Sequence, residues 1–181
     1  MNQPNPLARR VACWLALCST VAATLAMDLP SVDSGNSGWK LDDGVRAENG
    51  AFVVTGDADK YVRARLTVPA APLRGGSFLF RGEVRTEALK LGDTSYQAPK
   101  LKVYDDKGKA LGVNNLHEER PEWSSLLVQF KVPADYAADT ITFEVGMQQC
   151  PGTFSARNLE LCSGEWRWRR LDGTNKSYFD K

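Results

Sequence analysis

The side chains best able to do chemistry lie at alternate positions of three short segments. In FLFRGEVRTE, residues 78–87, one parity carries the charges and the other carries phenylalanine and valine. The segments PKLKVYDDKG and TITFEVGMQQ follow the same pattern. Their polar residues are Arg81, Glu83, Arg85, Lys100, Lys102, Tyr104, Glu144 and Gln148. Guanidinium, carboxylate and amide groups form paired hydrogen bonds, so these positions are candidates for a binding surface. A solvated sheet face, on which opposite charges alternate, is the other interpretation.

Catalytic combinations are few. His117 is the only histidine, which excludes a histidine-rich metal centre and the two-histidine zinc signature. Two proton-transfer sets can be written, namely Glu83 with Glu144 as paired carboxylates and Tyr104 with His117. The sequence contains neither a phosphate-binding glycine loop nor a nucleophile elbow. We therefore expect no catalytic residues.

The elements that position these residues are strands. From Trp39 onward apolar and polar residues alternate with period two, and no segment keeps a helical period for three turns. Strands are expected within 39–41, 51–55, 61–68, 77–86, 99–105, 123–132, 140–149 and 153–161, and residues 109–122 are expected to be irregular. Eight short strands in this length predict an all-β, two-sheet antiparallel β-sandwich. The two common wirings of such a sandwich are immunoglobulin-like and jelly roll. The chain lacks the cysteine pair with a tryptophan between its members that would mark immunoglobulin-like wiring.

The N-terminus predicts a secreted protein. Residues 1–26 combine two arginines, an apolar run and a small-residue ending, which is typical of a cleaved signal peptide; an uncleaved anchor is the alternative. Cleavage leaves 21 basic residues (23 minus 2) against 22 acidic ones, a net charge of −1. This balance predicts no nucleic-acid partner and no membrane partner after cleavage, in an extracellular or periplasmic location. Residues 27–38 form a lead-in, and residues 162–181 a tail or the start of a continuation.

Two cysteines remain after residue 26, Cys150 and Cys162. If Pro151 and Gly152 form a turn, ten residues of extended strand separate Cys162 from it, on the order of 30 Å at ~3.3 Å per residue. A disulfide needs Cα atoms within about 7 Å, so pairing requires a bulge or a long loop.

Residues 39–161 resemble the jelly-roll carbohydrate-binding modules related to families four and twenty-two, which have a galactose-binding-like sandwich. The resemblance rests on FLFRGEVRTE, an aromatic in the next loop at Tyr96, PKLKVYDDKG, Trp123 opening WSSLLVQFKVP, and TITFEVGMQQCPGTFSARNLEL. It implies a non-catalytic module that holds a polysaccharide or oligosaccharide on the concave sheet, with a catalytic domain in a longer or neighbouring protein as a candidate partner. A structural or adhesive sandwich without a sugar site is an alternative, and a polysaccharide lyase or glycosidase using the proton-transfer sets above is another.

In jelly-roll wiring the second, fourth, fifth and seventh strands share one sheet. Counting from Trp39, this places 77–86, 99–105 and 140–149 side by side. Aromatic rings at Tyr96, Tyr104 and Trp123 would then stack on sugar rings. The predicted carbohydrate-binding residues are Arg81, Glu83, Arg85, Tyr96, Lys100, Lys102, Tyr104, Trp123, Glu144 and Gln148. Trp39 is expected in the core.

The resemblance also bears on calcium, because many relatives carry an acidic residue near a structural calcium where this chain has Arg157 and Asn158. No cofactor is predicted other than a candidate structural calcium. The remaining oxygen donors for a structural calcium are Asp57, Asp59 and Glu160.

Overall fold

The computed structural model describes residues 29–164, together with the backbone of 167–169 and 175–177. The predicted signal segment, residues 1–26, lies outside the described residues. Within the described ranges, no helix is long and apolar enough to cross a membrane. Over residues 29–164 the chain forms two five-stranded antiparallel sheets, as the alternating pattern predicts, and a short 3-10 turn at Ala71–Leu73.

The first sheet, which we call the front sheet, has the strand order β1-β4-β9-β6-β7. Its strands are β1 (Lys40–Leu41), β4 (Tyr61–Pro69), β6 (Pro99–Asp105), β7 (Ala110–Asn115) and β9 (Thr140–Gln148). The central strand β9 pairs with β4 on one side and β6 on the other. All of these pairs are antiparallel.

The second sheet, called the back sheet, has the order β2-β3-β10-β5-β8. Its strands are β2 (Val45–Glu48), β3 (Ala51–Gly56), β5 (Ser77–Glu87), β8 (Ser124–Lys131) and β10 (Gly152–Ser163). The stretch FLFRGEVRTE lies in β5, between β10 and β8. A separate pair joins β11 (Arg167–Arg169) to β12 (Asn175–Ser177).

Aromatic side chains join the two sheets through the core. Phe143 of the front sheet lies edge-on to Phe80 and Phe130 of the back sheet, with ring centroids 5.1 Å and 6.0 Å away. Trp39 contacts Phe52 at 4.8 Å and is buried, which confirms the expectation that it belongs to the core. Because these inward residues fall on one parity of each strand, the opposite parity is left to form the outer faces.

The wiring is a jelly roll, but the strand count used to assign the sheets is wrong. β7 lies within 109–122, the segment expected to be irregular, and residues 39–41 form only the edge strand β1. The eight jelly-roll strands therefore begin at β3 and include β7. With that count the second, fourth, fifth and seventh strands are β4, β6, β7 and β9, which are the strands of the front sheet apart from β1.

Candidate functional site

The predicted site residues divide between opposite faces of the sandwich. Those on the outer face of the front sheet are Lys100, Lys102, Tyr104, Glu144 and Gln148. Those on the outer face of the back sheet are Arg81, Glu83 and Arg85. The prediction that these two sets are neighbours is therefore wrong, because β5 belongs to the back sheet. The error arose because β1 was counted as the first jelly-roll strand and β7 was missed, which shifted β3, β4, β5 and β6 by one place in the count.

The true neighbour of β9 is β4, which sequence reasoning left out of the site. Tyr61, Arg63, Arg65 and Thr67 occupy its outer face and lie directly opposite residues of β9. Their signal was the strict alternation in YVRARLTV, which already separates them from the core residues of the strand. A correct strand count would have placed them beside Glu144.

The register organises the outer face of the front sheet into two adjacent rows that run across the strands. The first, which we call the arginine row, consists of Arg63, Gly146, Lys100 and Asn115. The second, the glutamate row, consists of Lys40, Arg65, Glu144, Lys102 and Val113. Neighbours along a row are about 4.8 Å apart, the spacing of paired strands.

Glu144 anchors the face although its position points outward. Its side chain is 0% exposed, accepts a hydrogen bond from the Tyr61 hydroxyl, and lies 3.4 Å from Nη1 of Arg63. Burial, and next the Glu144 carboxylate, raise the pKa of Tyr61, so that its hydroxyl keeps its proton and donates it. A buried carboxylate is costly unless it is paired and hydrogen-bonded, and these two partners meet that need.

Gly146 makes room for this arrangement. A Cβ atom built on Gly146 would lie 2.9 Å from Cβ of Arg63, 3.0 Å from the Val62 carbonyl oxygen and 3.3 Å from Cε2 of Tyr61. The Arg63 guanidinium in turn lies over the Tyr61 ring, 4.7 Å from its centroid. The missing side chain therefore allows the tyrosine and the arginine to lie close over β9.

Lys100 is held at the opposite side of Gly146. Its ammonium group donates to the Tyr96 carbonyl at 2.6 Å and to Oε1 of Gln148 at 2.8 Å, and its residue is 3% exposed. Burial lowers the pKa of Lys100 to about 8, the Glu144 carboxylate raises it, and Lys102 lowers it further. The contact with Tyr96 brings the loop before β6 to this end of the face.

Ion pairs and a cation–π contact hold the side chains at the two ends of the glutamate row. Arg65 donates to Asp42 at 2.5 Å, and Asp42 also lies 3.6 Å from Nε of Arg63. The Lys102 ammonium lies 4.8 Å from the centroid of the Tyr104 ring. Nε of Arg63 and Nε of Arg65 are buried and make no hydrogen bond. The face therefore combines ordered cations, tyrosine rings and unused donors.

On the back sheet the polar groups satisfy one another. Arg81 pairs with Glu160 at 2.6 Å, and Arg157 pairs with Glu83 at 2.8 Å. Trp123, just before β8, lies under two guanidinium groups: those of Arg157, at 4.1 Å, and Arg85, at 4.9 Å. The charged groups of this cluster are therefore paired with one another, and their side chains remain 40–52% exposed.

The two proton-transfer sets of the enzyme hypothesis are not assembled. Glu83 and Glu144 lie on opposite outer faces of the sandwich. Lys100 pairs with Asn115 and Tyr104 with Ala110, so Tyr104 and His117 are about six strand residues apart, roughly 20 Å. His117 instead lines an edge cleft of about 320 Å³ together with Arg120. Neither pair is placed for proton transfer to a shared substrate.

The donors named for calcium are also separated. Asp57 and Asp59 lie in the turn after β3, where Asp57 accepts a hydrogen bond from the Asp59 amide at 2.9 Å. Glu160 lies near the other end of β10, opposite Arg81. Among the described residues, no group of three His, Cys, Asp or Glu side chains is placed to hold a metal ion. The three donors named for a structural calcium therefore do not lie together.

Cys150 and Cys162 are separated by most of the length of strand β10, as the distance argument from the sequence predicts. Cys150 is buried just before β10, whereas Cys162 lies near the far end of that strand, opposite Leu79. Both are free thiols. Burial raises the pKa of the Cys150 thiol to about 11, which keeps it in the unreactive protonated form.

No family model matches the sequence, and no curated protein matches it. Among solved structures, a family 4 carbohydrate-binding module aligns over 72% of this chain and 81% of its own, with a TM-score of 0.53 and 12% identity. The agarase AgWH50C aligns over 75% of this chain, which spans only 26% of the agarase, with a TM-score of 0.51 and 11% identity. The xylan-binding domain CBM22-1 of Paenibacillus barcinonensis Xyn10C covers 70% of this chain and 85% of its own, with a TM-score of 0.43 and 14% identity. The likeness to the family 4 module confirms the predicted resemblance at the level of the fold.

Proposed function

We propose that the protein is a secreted, non-catalytic carbohydrate-binding module that holds a polysaccharide across the outer face of the front sheet. The observation that carries this proposal is the anchored face itself, in which a fully buried Glu144 fixes Tyr61 and Arg63 in place. Binding to such a preorganised surface costs little side-chain entropy. The fold shared with a family 4 carbohydrate-binding module supports the same function.

The chemistry of the face suits a sugar chain. Sugar hydroxyls both donate and accept hydrogen bonds, and Lys102 and Gln148 offer complementary groups on neighbouring strands. The apolar faces of sugar rings pack on aromatic rings, for which Tyr104 lies on the face and Tyr96 is 49% exposed beside Lys100. By the corrected strand count, this is also the sheet on which the resembled modules hold their ligand.

We place the binding site on the front sheet because fewer of its predicted binding groups are already engaged in ion pairs than on the back sheet. On the back sheet, Arg81 and Glu83 are each engaged in an ion pair, and the Trp123 ring is covered by guanidinium groups. A ligand there would have to break those contacts. On the front sheet, Lys102 has a tyrosine ring beside it and Tyr104 is only partly buried.

The test is affinity electrophoresis of the protein through gels that contain neutral or acidic polysaccharides. We expect retarded migration in at least one gel, and loss of the retardation in a Tyr104→Ala/Lys102→Ala variant. The control is Arg81→Ala/Arg85→Ala, which changes the opposite face and should bind as the parent does. Unchanged mobility of the parent across the whole panel would instead favour a structural or adhesive sandwich.

The non-catalytic and secreted parts of the proposal have their own tests. The separation of Glu83 from Glu144 and of Tyr104 from His117 supports a module without catalysis. Release of reducing or unsaturated ends from any polysaccharide of the panel would overturn it. N-terminal sequencing of exported protein should begin at residue 27, and a catalytic domain encoded in a longer or neighbouring protein would be the expected partner.

A further inference from the structure

Positive charge is concentrated on the outer face of the front sheet. The two rows and their edge carry five cations against two carboxylates, whereas the whole chain has a net charge of only +1. The cations are Lys40, Arg63, Arg65, Lys100 and Lys102, and the carboxylates are Asp42 and Glu144. The face therefore has a local excess of three positive charges in a nearly neutral protein. Such an excess raises the local concentration of anions.

The pairing within the face leaves particular cations without a carboxylate. Asp42 contacts Arg63 and Arg65, and Glu144 contacts Arg63, so both carboxylates are already shared by the arginines of β4. Lys100 is bound by two neutral oxygens, a carbonyl and an amide. The uncompensated charge therefore lies on the β6 side of the face, where Lys100 and Lys102 follow each other on the same parity.

The spacing of the cations is regular. In the arginine row, Arg63 and Lys100 lie on strands that flank β9, and in the glutamate row Arg65 and Lys102 flank it in the same way. Two strand spacings separate the members of each pair by about 10 Å. A β-1,4-linked pyranose chain repeats over that length, so substituents of every second sugar return to the same side. A chain lying along a row would bring two such substituents next to two cations.

We propose that the front-sheet face selects polysaccharides whose sugars carry an anionic substituent, a carboxylate or a sulfate, at alternate units. This inference rests on the proposed function and specifies its ligand. Arginine meets such groups with a planar pair of donors and lysine meets them as a point charge. The Nε donor of Arg65 is buried and makes no hydrogen bond, and it can donate to such a group once the side chain adjusts to a ligand.

The test compares ligands that differ only in charge. Isothermal titration measures binding of β-1,4-linked polymannuronate against its carboxyl-reduced form, and of cellulose sulfate against hydroxyethyl cellulose, so that the probes keep the β-1,4 linkage and differ chiefly in charge. We expect at least one anionic member to bind about tenfold more tightly than its neutral partner, the effect of about one charge-assisted hydrogen bond. The preferred pair identifies whether carboxylate or sulfate is recognised. The preference should shrink as salt rises from low ionic strength to about 1 M, where screening acts over about 3 Å.

Two variants with the same loss of charge separate a specific site from general attraction to polyanions. Lys40→Gln/Lys102→Gln removes two positive charges from the front face, and Arg81→Gln/Arg85→Gln removes two from the back face. We expect the first to lose about tenfold or more in affinity for the anionic ligand and the second to bind as the parent does. Circular dichroism spectra and melting temperatures close to those of the parent are the required control that both variants are folded.

Three outcomes overturn the inference in different ways. Equal losses in the two variants would mean general attraction to polyanions. Tighter binding of a neutral member of each pair would leave the proposed function intact and refute the selection of charge. No binding of any polysaccharide in the affinity gels or the titrations would refute the proposed function itself, and the inference with it.

Discussion

The most direct test of the anchored face removes one oxygen atom. Tyr61→Phe keeps the ring that lies under Arg63 but takes away the hydroxyl that donates to Oε1 of Glu144. Because Glu144 is 0% exposed, water cannot replace the lost donor without opening the face. A hydrogen bond to a charged group contributes about 1.5–3 kcal/mol to stability. Because the Arg63 contact with Glu144 at 3.4 Å remains, we expect the free energy of unfolding to fall by about 2 kcal/mol.

Urea denaturation and thermal melting measure this loss. For a chain of this length, about 2 kcal/mol corresponds to a fall in melting temperature of about 4–8 °C. The matched control is Tyr136→Phe, because the Tyr136 hydroxyl is buried and makes no hydrogen bond, and its removal should be neutral or slightly stabilising. Combining Tyr61→Phe with Glu144→Gln completes a double-mutant cycle with an expected coupling of at least about 1 kcal/mol. Equal effects of the two Tyr→Phe changes, or a coupling within about 0.3 kcal/mol of zero, would refute the anchoring role of Glu144.

Two further predictions concern the same face. Lys100 is surrounded by Glu144 and Gln148 of β9, Tyr61 and Arg63 of β4, Lys102 of its own strand and Cys150, and its pKa lies at about 8. Affinity for an anionic polysaccharide should therefore fall as pH rises from about 7 to about 9, because Lys100 loses its positive charge over this range. The contribution of Lys100 to the free energy of unfolding should rise between pH 8 and 10.5, because the lysine binds more protons in the unfolded chain than in the folded one over that range. Both trends should vanish in Lys100→Gln. If the affinity and the stability of the parent change with pH in the same way as those of this variant, the pKa assigned to Lys100 is wrong. Gly146→Ala should cost about 1–3 kcal/mol in urea denaturation and weaken polysaccharide binding, since the new methyl group meets Arg63 and Tyr61; a variant as stable as the parent, with unchanged affinity, would show that the close approach is not needed.

The strand faces could be predicted from the sequence because parity alone determines them. Alternation separates Phe78 and Phe80 from Arg81 in β5, and the structure buries the phenylalanines as expected. The two-sheet sandwich also followed from the number and length of the strands, whereas the jelly-roll wiring was predicted from the resemblance to carbohydrate-binding modules. What parity cannot give is which strands are neighbours, because that depends on counting every strand correctly.

The missed strand, β7, has its pattern inverted. Its inward positions are Gly112 and Asn114, and the apolar Val113 faces outward with 48% of its surface exposed. Gly112 is required there because a Cβ would lie 2.6 Å from Cγ1 of Val128, and Asn114 donates to the Leu127 carbonyl at 2.8 Å. β7 therefore packs against an edge of the other sheet, and its sequence reads as a loop.

The anchoring role of Glu144 also could not be predicted from the sequence. In TITFEVGMQQ it is an ordinary polar residue at an outward position, and such residues are usually solvated. Its burial depends on Tyr61 and Arg63, which lie about eighty residues earlier and reach it only across the β4–β9 ladder. Long-range register of this kind is a property of the folded sheet.

The position of β10 in the back sheet has a consequence for how the chain folds. β10 lies between β3 and β5, and Phe154 pairs with Val54, a hundred residues earlier. Until the last of the eight jelly-roll strands is present, β3 and β5 have no strand to join them. Folding must therefore wait until residues 152–163 are present and must close a very long loop, which predicts a slow folding rate. A nascent chain that ends before residue 152 would stay open, with unpaired edges that chaperones recognise.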